Sequence, residues 1–403
     1  MADDPRLFRR TFGVLAFLVG LNIVAVDAAM PAMRDMAVDL GTDLGRAQAT
    51  LGTFLIGTAI GQLMWGTLGD RFGRRPMLLL GLGTYVVTAF AITAAPAIES
   101  VAILRLLQGI GSASAFVLSR AIVRDLFDVQ GSARMFATLF QIIGVFPILS
   151  PIIGGELTDH LGWRAVYVFI GGLGVASLAV IALAFRESLA EKDLDALRVD
   201  RIAASFGELF GDPTFRAYLV LGIGMHIGIL AIVAGMPVAA IGYLKLSPGT
   251  YGYLYAAVML AYLVAAMIGG PLIRRFGSST MLNLGVATTV GAVLLTLAVW
   301  LADAVNVVTL VLVNAVYMFG YAWLNPPMVA GALANFHHMA GRATSLMGFV
   351  HQATGALTAF AIGLVTDDSP RPHALAMFVT GTIIVLAYFV LVRPLAKPAR
   401  GAA

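Results

Sequence analysis

Gly66-Thr67-Leu68-Gly69-Asp70-Arg71-Phe72-Gly73-Arg74-Arg75-Pro76-Met77-Leu78-Leu79-Leu80-Gly81 is the stretch that decides the fold, because the chain contains it twice. At an offset of 204 residues, Gly66, Leu68, Arg71, Phe72, Gly73, Met77, Leu78, Leu80 and Gly81 fall on Gly270, Leu272, Arg275, Phe276, Gly277, Met281, Leu282, Leu284 and Gly285, nine identities in sixteen positions. Self-similarity at such a distance is the mark of a chain built from two related bundles. The copies differ in charge. Asp70 aligns with Arg274, Arg74 and Arg75 with Ser278 and Ser279, Asp27 with Ala231, and Arg105 with Thr309. The ionisable chemistry therefore concentrates in the first half.

Each copy lies between long apolar runs. Hydrophobic residues form 59% of the chain and charged ones 12%, against roughly 45–50% and about 25% in soluble domains. Runs near 11–32, 47–68, 77–96, 100–122, 135–157, 165–185, 216–241, 251–272, 280–301, 304–325, 343–365 and 373–393 each suffice to cross a hydrocarbon core of about 30 Å as a helix. They are too long, and too rich in Leu, Ala and Gly, for barrel strands. The expectation is an all-α membrane protein with twelve transmembrane helices. The longest polar interruption, 186–215, divides them six and six, giving an N-terminal bundle over 1–185, a cytoplasmic linker and a C-terminal bundle over 216–403.

The basic residues orient these spans. Of 26 Lys and Arg, twenty fall on the two termini and the loops that follow even-numbered spans, Arg120 and Arg124 being counted among them. Five, Arg34, Arg46, Arg164, Lys245 and Arg371, fall on the opposite side, and Arg105 lies inside a span. Both termini are thus expected in a bacterial cytoplasm, with a multi-pass location in the inner membrane. This distribution accounts for the net charge of +4 without a nucleic-acid partner. The first span is longer than a signal-peptide core and carries Asp27 and Pro31, so it reads as a retained helix. The absence of cysteine excludes disulfides, thiolate metal sites and a cysteine nucleophile.

The run from Gly66 to Pro76 resembles the signature loop of the major facilitator superfamily. Leu104-Arg105-Leu106-Leu107-Gln108-Gly109 resembles the span 4 motif of its drug/proton antiporter branch. Pro151, Gly154 and Gly155 are similar to the end of the antiporter motif in span 5, although Phe146 and Ser150 stand where that pattern has glycine. Asp27-Ala28-Ala29-Met30-Pro31, Val123-Arg124-Asp125 and Ala340-Gly341-Arg342-Ala343 resemble the bicyclomycin and chloramphenicol/florfenicol exporters. The resemblance implies two pseudo-symmetric six-helix bundles around a central cavity lined by spans 1, 4, 7 and 10. It also implies a conformational latch made by the signature loop and an acid at the base of span 4, for which Asp125 is the first candidate and Asp128 the next.

Gly66 and Gly73 permit close backbone approach at the turn between spans 2 and 3, while Asp70 can accept charge-assisted bonds from a helix N-terminus or from nearby guanidinium groups, with Arg71, Arg74 and Arg75 close in sequence. A plain topological anchor is the alternative reading of these arginines. Only Asp27 and Arg105 place charge well inside spans, and such residues mark function by default. At 1.5 Å per residue, both lie roughly 7 to 9 Å to the outer side of their span centres. Asp27 is therefore the candidate proton carrier, with Arg105 holding it charged or binding substrate. A static helix-joining pair and a headgroup-level Asp27 remain alternatives.

Asn22, Gln141, His226 and Gln352 join Asp27 and Arg105 as candidate substrate ligands, with His226 and His351 as alternative proton sites. Gly57 with Gly61 and Gly224 with Gly228 have helix-packing spacing. Asn325-Pro326-Pro327 reads as a helix stop in span 10. His337 and His338 read as surface residues without metal-ligand spacing. No nucleophile elbow, zinc-protease or P-loop run is present, so neither an enzyme nor a metal or other cofactor is expected. The reading is a monomeric secondary transporter whose partners are a small molecule, protons and lipid, exporting drug-like cargo of phenicol or bicyclomycin type. A metabolite carrier of the same fold is the alternative, ahead of a channel.

Overall fold

The computed structural model describes residues 5–336, 339–366 and 369–395; His337 and His338 lie outside them, as does the side chain of Gln141. All regular elements among the described residues are helical. In order they are α1 (Pro5–Val19), α2 (Leu21–Asp27), α3 (Met33–Asp39), α4 (Leu44–Phe72), α5 (Arg74–Thr93), α6 (Ile98–Leu126), α7 (Val129–Ile143), α8 (Phe146–Leu161) and α9 (Trp163–Ala184). There follow α10 (Val199–Gly211), α11 (Pro213–Leu230), α12 (Pro248–Phe276), α13 (Ser278–Leu301), α14 (Val307–Leu333), α15 (Ala340–Leu364) and α16 (Arg371–Leu386). Among the described residues, ten helices or continuous helical runs are long and apolar enough to cross a membrane. Two further crossings are broken in the middle, α1 with α2 at Gly20 and α7 with α8 at Gly144–Val145. Large apolar side chains lie exposed along these helices, among them Leu183 and Leu364 at 88%, as lipid-facing helix surfaces require.

Contacts divide the chain into two compact units: Met1–Val199 with Ser247–Tyr253, and Asp200–Leu246 with Leu254–Ala403. The amphipathic α10 sits within the stretch read from sequence as linker, and its Ser205 accepts a bond from Arg342 at 2.7 Å.

In the first unit, α6 is the central post. Its small residues let neighbours reach its backbone, which is how membrane helices associate without a hydrophobic drive. A Cβ placed on Gly57 of α4 would lie 2.0 Å from the Leu106 carbonyl oxygen, and one on Gly109 would lie 2.0 Å from that of Phe54. On the other flank, Gly81 of α5 meets Ser114 in the same way. Trp65 Nε1 donates to the Ile110 carbonyl at 2.7 Å across the α4–α6 seam. The broken spans pair with each other, α1 on α7 and α2 on α8, and Gly20 at the first break admits the Phe146 ring beyond the second.

The second unit is organised around α11, against which α14, α15 and α16 pack. Leu221, Met225, Leu324, Met328, Leu346 and Ile384 lie in its core. Past Leu230, span 7 continues as π-helical turns over Ala231–Gly235 and Val238–Tyr243, flanking Pro237. Span 10 departs from the sequence reading: α14 runs unbroken through Pro326 and Pro327. A membrane helix tolerates prolines where neighbouring groups meet the carbonyls they free, so a local stop signal was overridden.

The α6 seam gives a stability prediction. Gly57→Ala forces a methyl onto a carbonyl oxygen and should cost about 1–3 kcal/mol as overpacking, whereas Gly83→Ala has no atom within 4 Å to meet. Thermal unfolding in detergent should show a lowered midpoint for the first and an unchanged or raised one for the second. Equal midpoints would mean that the seam yields freely.

Candidate transport site and signature-loop cluster

Asp27 is the last residue of α2 and is 6% exposed. The next carbonyl along, that of Ala28, fits against Gly154 of α8, where an added Cβ would lie 2.1 Å away. Gly155 likewise admits the carbonyl of Pro248, and Asp159 accepts the Gly249 N–H at 2.9 Å. Pro151, inside α8, presents its carbonyl to Gly252. The antiporter-like Pro151, Gly154 and Gly155 thus hold α8 against the backbone beside Asp27 and against the Ser247–Tyr253 segment of the same unit. Tyr251 in that segment is fully buried within electrostatic reach of Asp27.

Arg105 is completely buried, but it does not pair with Asp27. Its Nη1 donates to the Ala25 carbonyl and to Gln108 Oε1, both at 2.9 Å. The guanidinium carbon lies 4.4 Å from the centre of the Phe54 ring and 5.8 Å from that of Tyr167. Nε and Nη2 have no hydrogen-bond partner among the described residues. A common depth, as expected from the sequence, says nothing of the bearing of two side chains around their helices. A carbonyl and two ring faces take the cation instead, tying span 1 to span 4 through backbone. The neighbouring Asn22 does the same through its amide, which donates to Thr58 Oγ1 at 3.2 Å and Ser112 Oγ at 2.9 Å. Tyr85 donates to the Leu21 carbonyl at 3.2 Å.

In the second unit, His226, His351 and Gln352 form one cluster. The imidazoles stack with centroids 5.0 Å apart, and His226 Nε2 lies 3.2 Å from Gln352 Oε1. Gly222 leaves room for the His351 ring, since a Cβ there would lie 2.4 Å from Nε2. The structure brings these three together, with Asp27, Arg105 and Asn22 gathered separately in the first unit.

At the base of the first unit, Arg74 is the hub. Nη1 lies 2.6 Å from Asp70 Oδ1 and Nε lies 2.9 Å from Asp125 Oδ2, with the Arg74 side chain 7% exposed. Gly73 turns the chain at φ +108°, a backbone region that favours glycine. The close approach expected of Gly66 is found one turn later: Gly66 meets only Val117 at 3.8 Å, whereas a Cβ on Gly69 would lie 2.5 Å from Leu118 and 3.1 Å from Arg74 Nη1.

Sequence reasoning missed Glu187. Its carboxylate accepts the backbone N–H of Arg74 at 2.9 Å and of Arg75 at 3.0 Å, capping α5, and those of Ser188 and Leu189 at 3.0 Å each. Ser188 Oγ donates to Asp125 at 3.2 Å, the Asp193 N–H to the Asp70 carbonyl at 3.1 Å, and Arg71 to the Leu194 carbonyl at 2.7 Å. The polar stretch after span 6 is therefore folded back onto the signature loop. Partial burial pushes the Glu187 carboxyl up, but the N–H donors of Leu189, Arg75, Arg74 and Ser188 outweigh it and hold it below its ordinary value. A carboxyl depressed on folding contributes stability above its unfolded pKa, and loses it only as pH falls through the folded one. The cap is thus fully formed at neutral pH. The only available sequence signal was a carboxylate directly after a span, which is too common to be informative.

Comparison with known proteins agrees with this architecture. Residues 14–243 and 226–403 match the family profile described as Major Facilitator Superfamily. The chain is 29% identical over 392 residues to a bicyclomycin resistance protein homolog of Haemophilus influenzae, covering 96% of each. It is 30% identical over 381 residues to multidrug resistance protein D of Escherichia coli, covering 94% of each. A bacterial homolog of the human lysosomal transporter Spinster, solved inward-facing and unoccupied, superposes with a TM-score of 0.74 at 13% identity over 97% of this chain and 98% of that one. The chain belongs to the Major Facilitator Superfamily and is a multi-pass membrane transporter, not an enzyme.

Proposed function

We propose that this chain exports small drug-like molecules, of the phenicol or bicyclomycin type, in exchange for protons, with both termini in the cytoplasm and Asp27 as the proton carrier. The observation that carries the reading is a carboxylate 6% exposed inside a membrane span, whose neighbouring arginine is bound to a carbonyl and ring faces. Protonating Asp27 therefore breaks no ion pair with Arg105. Two relatives bearing drug-resistance names, matched over nearly their whole length, support the cargo class. One proton moving through about 100 mV supplies roughly 2.3 kcal/mol, and a one-for-one exchange would then sustain about a fifty-fold gradient of a neutral drug.

Arg105 acts in this reading as a positioning residue, holding the backbone of span 1 two residues before the carboxylate. The Asp70–Arg74–Asp125 cluster, with Glu187 as its cap, serves as the latch of alternating access. The histidine cluster of the second unit is the second choice for the proton.

Two outcomes are expected. In proteoliposomes loaded with chloramphenicol under an imposed pH gradient, Asp27→Asn should abolish concentrative transport while drug binding persists; concentrative transport by that variant would transfer the proton role to His226 or His351. Glu187→Gln replaces one acceptor oxygen with a donor and should loosen the linker. Trypsin cleavage at Arg186 and Lys192 should accelerate severalfold and transport should fall, with insertion unchanged. Unaltered cleavage and transport would remove Glu187 from the latch.

A further inference from the structure

The spans α5 and α9 pack against each other, and where α5 begins and α9 ends they leave a cleft of about 430 Å³. Its walls include Arg75, Leu79, Leu183, Phe185, Arg186 and Glu187. Arg75 is partly buried. Its Nη2 donates to the Ala182 carbonyl at 2.8 Å, but its Nε is enclosed and has no hydrogen-bond partner among the described residues. Arg186 is exposed, and among the described residues nothing pairs with it. Glu187 forms no ion pair with either arginine among the described residues, because its carboxylate is taken up by four backbone N–H groups. Leu183 carries the apolar part of the wall onto the exposed outer surface of α9.

Two guanidinium groups lining one cleft without a carboxylate partner have donors to spare, and their planar forks match phosphate oxygens. Two arginines against one glutamate leave the walls with a single net positive charge, the complement of a phosphodiester with a neutral headgroup. The volume lies in the range of pockets that take up small molecules. Basic pockets between spans are also where anionic headgroups are held, and here an apolar wall leads from the charges to the lipid-facing side of a helix. We propose that Arg75 and Arg186 hold the phosphate of an anionic phospholipid such as phosphatidylglycerol, with the acyl chains running along Leu79 and Leu183. Arg75 then joins that phosphate to the Ala182 carbonyl, so the bound lipid braces α5 against α9 next to the signature loop. The site depends on neither the cargo nor the proton, and its test uses no gradient.

The experiment is native mass spectrometry of the purified full-length chain in a neutral detergent, titrated with phosphatidylglycerol and with phosphatidylcholine of the same acyl chains. The wild type should bind its first phosphatidylglycerol roughly tenfold more tightly than phosphatidylcholine, the factor that one charge-assisted hydrogen bond contributes. Arg75→Gln with Arg186→Gln should erase this preference, and Arg75→Lys with Arg186→Lys should restore part of it. Arg274→Gln with Arg275→Gln removes the same charge at the repeated loop and should leave the preference in place. Glycerol 3-phosphate and inorganic phosphate, which bring the anion without the chains, should not displace the lipid at matched concentration. Displacement by either would assign the cleft to a soluble phosphate and overturn the lipid. Equal binding of the two lipids by the wild type, or a preference that survives the first pair of substitutions, would overturn the proposal. An equal loss of preference in both pairs of Gln substitutions would do so by reducing it to surface charge. Loss of all lipid binding in Arg75→Gln with Arg186→Gln, without recovery in the Lys pair, would overturn it by assigning these arginines to folding.

Discussion

The backbone-to-backbone contact between α4 and α6 is the constraint on which the rest of the first unit depends. Inside a bilayer there is no hydrophobic reward for bringing two apolar helices together, so association relies on close packing and on hydrogen bonds that lipid cannot replace. Gly57 and Gly109 supply the first by admitting the carbonyls of Leu106 and Phe54. Once α6 is seated, its polar residues collect the other helices: Ser112 receives Asn22, Arg105 holds the Ala25 carbonyl, and Asp125 receives Arg74 at its far end. One helix thus connects the backbone two residues before Asp27 to the Asp70–Arg74–Asp125 cluster.

That arrangement changes how the interior charges are understood. An ion pair between Asp27 and Arg105 would have made the carboxylate harder to protonate and its release of the proton easier. Arg105 is instead fixed to a backbone carbonyl and two aromatic faces. In the proposed mechanism a bound substrate and a proton compete for one environment, which is the requirement of antiport.

Much of this was legible in the sequence, for identifiable reasons. Span number and the duplication follow from apolar run length and identity at fixed spacing, both one-dimensional quantities. The candidates for the latch were legible because the signature loop is local and its acidic partner ends a neighbouring span. What failed to show depended on bearing or on fold-back. Sequence gives the depth of Arg105 but not the direction of its side chain. It cannot show that Glu187 turns back 113 positions to cap α5, that Gly69 and not Gly66 is the crowded glycine, or that α14 continues through Pro326 and Pro327 because its neighbours support it.

The central claim is that substrate and proton compete at Asp27. It is tested most directly by measuring proton release when chloramphenicol is added to purified protein in weakly buffered detergent solution containing a pH indicator, starting from a pH at which the site is protonated. The account predicts release approaching one proton per molecule bound in the wild type, and none from Asp27→Asn despite binding. Equal release from both proteins would contradict it.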